Sequence, residues 1–252
     1  MNEPANDNAL PYTLHRGEAL AVLASMPSES VDAVIADPPY GIDFQSSWTI
    51  GPRRKPKIAN DLRPFIWFAP EIARVLKPGG GALVFTRYDV EADFRRALQL
   101  AGLTVKGQVI FDKVGHGMGD LTGDVAPQHE NIIFATKGRF RWPGQRLKSV
   151  VRFPRVPPSQ LVHPNEKPVA LLEHLVDHLC PAGGVVLDPF AGSGTTGVAA
   201  LKTGRRFIGI EMVPEIYEIA DARLLALLPQ DPTRLFEHRF APESGDVPGR
   251  VT

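Results

Sequence analysis

Val31-Asp32-Ala33-Val34-Ile35-Ala36 runs directly into Asp37-Pro38-Pro39-Tyr40. The first six residues are mostly β-branched or small and apolar, follow Ser28, and read as a buried strand. Pro38 and Pro39 cannot donate ladder hydrogen bonds, so the strand ends at them. One carboxylate, Asp37, therefore lies at the carboxyl end of a strand, with an aromatic ring, Tyr40, three residues on. Ligands of open α/β sheets bind outside such ends. Asp37 and the Pro38 carbonyl could each accept one N–H of an aromatic amine and aim its lone pair at an electrophile. Tyr40 could stack on a base lifted out of a duplex. Asp-Pro-Pro is also ordinary surface-turn composition, and these residues alone leave both readings open.

On the amino side, Tyr12-Thr13-Leu14-His15 is a short strand ended by Gly17. Glu18 then opens an amphipathic helix that stops at Pro27, so a second acid stands at a strand-to-helix junction. It could equally be a carboxylate favouring a helix N-terminus. On the carboxyl side, residues 41–60 read as a loop carrying Trp48, Arg53, Arg54, Lys55 and Lys57. Those residues suit a phosphate backbone, or simply solvent.

Beyond this the chain alternates. A helix is expected over Pro64–Leu76, stopped by Lys77-Pro78-Gly79-Gly80-Gly81, then a strand at Ala82–Phe85. A helix over Asp89–Ala101 and a strand at Val105–Phe111 follow, then a glycine-rich loop and a strand led in by His129-Glu130-Asn131. Residues 137–155 differ. They show no clear period and no acidic residue, and carry Arg139, Arg141, Arg146, Lys148 and Arg152 among aromatic side chains, which suits phosphate contact and base-edge reading. His163-Pro164-Asn165-Glu166-Lys167-Pro168 precedes a helix at Val169–Leu179. Val185-Val186-Leu187 is a strand, followed by Asp188-Pro189-Phe190-Ala191-Gly192-Ser193-Gly194-Thr195-Thr196, a glycine turn leading into a helix. Such a turn lets backbone approach a ligand, and the helix N-terminus attracts an anion. It lacks both the three-glycine dinucleotide spacing and a Gly-Lys-Ser/Thr phosphate loop, against NAD and ATP. Phe207–Ile210 is the next strand; Glu211 ends it, as an acid that binds ribose hydroxyls or as a helix cap. Pro214 opens a helix to Leu228. Strand–helix alternation throughout predicts an α/β fold, a doubly wound and mostly parallel sheet with helices on both faces.

The composition sets bounds. The 252 residues, 43% hydrophobic, suffice for one α/β core, and zero net charge leaves any nucleic-acid signal to local patches. One cysteine, Cys180, excludes an internal disulfide and cysteine-based zinc modules. A polar Met1–Asn8 without an apolar core, and no bilayer-length segment, lead to the expectation of a cytoplasmic protein without membrane or metal partners.

Together, Asp37-Pro38-Pro39-Tyr40, the Asp188–Gly194 turn and the His163–Pro168 stretch resemble the amino-methylating DNA methyltransferases. The resemblance covers about residues 12–228, nearly the whole chain. The catalytic motif precedes the cofactor glycines, as in the circularly permuted β-type members with a Rossmann-like sheet. The resemblance implies one methyltransferase domain over 12–228, with a target-recognition insert at about 137–160 and loosely held ends at 1–11 and 229–252. It implies S-adenosylmethionine as cofactor, double-stranded DNA as partner, and a homodimer, since β-type members often dimerise. It assigns catalysis to Asp37, Pro38, Pro39 and Tyr40. It assigns cofactor contact to Asp37, His163, Lys167, Pro168, Asp188, Phe190, Gly192, Ser193, Gly194, Thr195, Thr196 and Glu211, and to Glu18 where the family often has Asp. Asp at the first motif position leans toward adenine N6 and away from cytosine N4. The absence of a Pro-Cys motif argues against cytosine-5 methylation. Methylation of the cytosine N4 amino group is the runner-up, and methylation of a protein amide, or DNA binding without catalysis, are the further readings.

Overall fold

The computed structural model describes residues 10–41, 63–116, 122–123, 125–157 and 166–229. In chain order the elements are β1 (Tyr12–Arg16), α1 (Ala19–Ser25), β2 (Val31–Ala36), α2 (Ala69–Val75), β3 (Leu76–Thr86), α3 (Glu91–Leu100), β4 (Thr104–Asp112), β5 (His129–Thr136), β6 (Val150–Arg152), α4 (Val169–Leu179), β7 (Val185–Asp188), α5 (Thr195–Lys202), β8 (Arg206–Glu211) and α6 (Pro214–Leu225). The strands form one sheet in the order β1-β8-β7-β2-β3-β5-β4-β6. Every neighbouring pair is parallel except the two that β5 makes, with β3 and with β4.

Both faces of the sheet are covered, which is why β2 reads as a continuous apolar run instead of an alternating one. Ala33 and Ile35 pack with Leu172 of α4, Val198 of α5 and Leu224 of α6. Val34 and Ala36 pack with Leu23 of α1, Ile72 of α2 and Phe94 of α3. The expected doubly wound sheet with helices on both faces is the one observed.

The helix expected from Pro214 to Leu228 ends at Leu225, and two further boundaries differ more deeply from expectation. Lys77–Gly81 does stop a helix, but the same residues already belong to β3. The Gly79 amide donates to Lys137 O at 2.7 Å, and the Lys137 amide to Gly80 O at 3.0 Å. A Cβ at Gly80 would come within 2.7 Å of Leu76 Cδ1, and one at Gly81 within 2.8 Å of Leu179 Cδ1. These glycines permit close packing along an extended strand. The helix expected from Pro64 begins only at Ala69, because Pro64 bridges antiparallel to Tyr40 and the Phe65 amide donates to Pro39 O at 3.0 Å. Gly41, at φ +79°, makes room: a Cβ there would stand 2.3 Å from the Arg63 carbonyl carbon.

Candidate active site

Parallel strands bring their carboxyl ends to one edge of the sheet. Across β1, β8, β7 and β2 that edge presents Glu18, Glu211, Asp188 and Asp37 in a row, and three inter-strand steps of roughly 4.8 Å span about 14 Å, the reach of a nucleoside. The sequence places Asp37, Asp188 and Glu211 at strand ends and Glu18 at a strand-to-helix junction.

Glu211 organises the glycine turn. Its Oε2 accepts the Gly192 amide at 3.0 Å and its Oε1 the Val213 amide at 2.8 Å. Burial raises its carboxyl above the usual range against the pull of those bonds. The Met212 amide adds a third backbone bond, and because a carboxylate has about four acceptor positions, about one remains. Asp188 is buried; its Oδ1 accepts the Phe190 amide at 3.0 Å and its Oδ2 the Thr196 hydroxyl at 2.6 Å. The Thr196 hydroxyl thus holds Asp188 internally, in addition to its expected place beside a ligand. Gly192 (φ +52°) and Gly194 (φ +79°) both use left-handed backbone, and a Cβ at Gly192 would find nothing nearer than 4.0 Å among the described residues. At Gly192 the turn therefore faces open space, whereas at Gly194 it packs on Ala220, 3.1 Å from the added Cβ. Phe190 sets its ring edge-on to Phe65 and Phe68, at centroid distances of 5.8 and 5.1 Å. Arg223 of α6, which the sequence reading did not single out, donates to Ser193 O at 2.8 Å and to Ser193 Oγ at 2.9 Å. It also pairs with Glu166 at 2.7 Å. Thr195 joins this cluster through its hydroxyl, 3.4 Å from Glu166 Oε1. Glu18 is exposed and caps α1, its Oε2 accepting the Ala21 amide at 2.9 Å.

Asp37 has both oxygens engaged. The Tyr40 hydroxyl donates to Oδ1, and the Lys167 ammonium to Oδ2 at 2.5 Å. Burial and then the Asp37 charge keep the Tyr40 hydroxyl well above its ordinary pKa. Its ring meets Phe94 edge-on at 6.5 Å. Lys167, assigned by resemblance to the cofactor, lies 3.2 Å from Glu130 Oε2, and Lys113 lies 3.0 Å from Glu130 Oε1. The result is a chain of alternating charge, Asp37–Lys167–Glu130–Lys113. Pro168 is the N-cap residue of α4, so Lys167 lies immediately ahead of that helix. Pro38 is buried beneath the turn.

The basic residues are split. Because β5 runs antiparallel, Thr136 ends opposite Gly81, at the amino edge of the sheet. Arg139 and Arg141 consequently lie beside Gly79 and in a cleft with Asp32, Leu179 and Pro181, on the edge away from Asp37. The basic residues of the 137–155 stretch therefore do not lie together on one edge of the sheet. The chain returns at β6, where Arg152 pairs with Asp112 at 2.8 Å on the site edge. Arg53, Arg54, Lys55, Lys57 and His163 lie outside the described residues. Among the described residues no group of three His, Cys, Asp or Glu could hold a metal, and no helix is long and apolar enough to cross a membrane.

Fold and site together define a Rossmann-like methyltransferase. The chain belongs to the DNA methylase family N6_N4_Mtase, whose profile matches residues 31–222. It is 34% identical over 215 residues to YubD of Escherichia coli (strain K12), named as a methylase, covering 84% of this chain and 89% of that one. It is 27% identical over 260 residues to the DNA adenine methyltransferase YhdJ of the same organism, covering 88% and 85%. Among solved structures, the DNA modification methylase TTHA0409 of Thermus thermophilus, complexed with S-adenosyl-L-methionine, superposes with a TM-score of 0.62 at 28% identity, covering 86% and 96%.

Proposed function

We propose that this DNA methylase transfers a methyl group from S-adenosylmethionine to the exocyclic N6 amino group of adenine in double-stranded DNA. The observation that carries the reading is the Asp37-Pro38-Pro39-Tyr40 turn, held by Lys167 next to the open Asp188–Gly194 turn. Asp at the motif's first position and the likeness to an adenine methyltransferase favour adenine over cytosine N4.

The residues fit the cofactor. Gly192 leaves the turn clear, Glu211 retains acceptor capacity for ribose hydroxyls, and Glu18 stands one strand beyond it. Thr195 and Lys167, with His163 in the same motif, would face the amino-acid end. When bound, the cofactor supplies an electrophilic sulfonium methyl group whose departure leaves a neutral thioether. Asp37 and the Pro38 carbonyl would accept the two amino protons of the flipped base, which biases the nitrogen toward a tetrahedral, nucleophilic geometry. The carboxylate also offsets positive charge developing on that nitrogen. Tyr40 would stack on the base once its hydroxyl leaves Asp37. Holding both reactants in line supplies up to roughly 7–11 kcal/mol. A strong base is unnecessary, because the methylated ammonium is itself acidic.

Incubation with mixed-sequence duplex DNA and the cofactor, followed by nucleoside mass spectrometry, should yield N6-methyladenine. N4-methylcytosine would overturn the base assignment, and no methylated nucleoside would overturn the reading. Asp37→Ala should abolish turnover while cofactor affinity stays within a few-fold. Equal loss of both would make Asp37 structural.

A further inference from the structure

Glu130 reaches the site edge because β5 runs against its neighbours, so that its first residues, not its last, lie beside Asp37. Nothing in the reaction above uses it. Its carboxylate stands between two ammonium groups, Lys113 and Lys167, each only 14% exposed. Lys167 faces Asp37 and Glu130, with the Phe85 ring at 5.0 Å. Tyr40 approaches it through Asp37, and Lys113 through Glu130. The next residue, Asn131, turns to the opposite face and binds Glu91 at 2.9 Å. Burial alone would lower the Lys167 ammonium's hold on its proton; the Asp37 and Glu130 carboxylates more than reverse this, so its pKa lies above the ordinary lysine value.

Each Asp37 oxygen holds one donor and keeps one free acceptor position. With the Tyr40 hydroxyl gone from Oδ1, the donor that competes with the target amine for the carboxylate is the Lys167 ammonium on Oδ2. Were Asp37 its only carboxylate, loosening that contact would strand a buried charge, a strongly unfavourable state. A second carboxylate already within 3.2 Å removes that obstacle. We propose that Glu130 is a positioning residue for amino-group methylation: it keeps Lys167 neutralised and in place, so that Asp37 Oδ2 can exchange the ammonium for the target amine. This rests on the amino-methylation reading of the site.

Two measurements test it. In Asp37→Asn, nitrogen-detected NMR should show the Lys167 ammonium still protonated above the ordinary lysine pKa of about 10.4, and Asp37→Asn/Glu130→Gln should titrate at or below it. Titration of the single variant at or below that value overturns the proposal, whether or not DNA is the substrate. In turnover, Glu130→Gln should lower kcat by about tenfold or more with the KM for DNA within about twofold, and move the alkaline limb of the pH profile downward. Glu130→Asp, which keeps the charge, should restore that limb. A Glu130→Gln enzyme with a lower Tm but an unchanged kcat and pH profile would make the residue merely structural and overturn the role. If Glu130→Gln does not fold, the Asp37→Asn titration and Glu130→Asp decide. A wild-type enzyme that methylates no DNA sinks the amino-methylation reading while the Lys167 titration still stands or fails by itself.

Discussion

At Asp188 burial and hydrogen bonding pull in opposite directions. Desolvation raises the carboxyl, the Thr196 hydroxyl and Phe190 amide lower it, and the balance lies at about 7. The folded chain therefore holds this proton more tightly than the unfolded chain. Stability from it is complete below the unfolded value of about 4 and is lost as pH rises toward about 7. Asp188→Asn should flatten the fall of Tm between those values, measured by thermal melts across the range; an unchanged slope would place the titration elsewhere. The residue scale was partly legible. Asp37, Asp188 and Glu211 announce themselves because each ends a run of apolar residues, and a strand end is a local feature. Glu130, Lys113 and Arg223 do not, since their importance arises from partners far away in sequence: Lys167 stands between Asp37 and Glu130 only in the folded chain.

Among the elements, α5 packs closely on its neighbours. A Cβ at Gly197 would lie 2.6 Å from Phe207 Cε1 on β8 and 2.8 Å from Leu224 Cδ2 on α6, and both side chains are buried. Alanine's helix propensity is worth up to about 1 kcal/mol over glycine, while overpacking costs about 1–3 kcal/mol and wins. Gly197→Ala should lower Tm by a few degrees, about 2–8 °C in a domain of this size, with little change in the pH profile. A higher Tm would show that Phe207 can move aside. Helices such as α4 were readable to the residue because their apolar spacing spans several turns. Pro64–Phe68 carries the same spacing yet serves the catalytic turn as a bridge, because tertiary pairing overrides weak local preference. The Lys77–Gly81 run stops α2 as expected, but its place within β3 was hidden for a related reason: its glycines answer to Leu76, Asp32 and Leu179, contacts that spacing cannot reveal.

For the whole molecule, zero net charge means that DNA attraction depends on where cations sit. The sheet places Arg139 and Arg141 on the edge away from Asp37 and Arg152 on the same edge as Asp37. Neutralising Arg139 and Arg141 together should leave the salt dependence of DNA binding unchanged, whereas loss of a phosphate contact lowers the slope by about one. A lower slope from the Arg139/Arg141 pair would move the DNA face to the amino edge. The parallel alternation of the sheet was legible, but the orientation of β5 was not, and that orientation separates the two halves of the basic stretch. One pairing has a consequence for how the protein is made. Among the described strands β1 is made first, yet its partner in the sheet, β8, is made last. Through most of synthesis β1 waits with its backbone groups bonded only to water, while β2, β3, β5 and β4 can already assemble. The cofactor side of the site comes into being only when β7 and β8 have both been made, so a nascent chain halted before β8 carries the catalytic turn with no nucleoside cradle beside it.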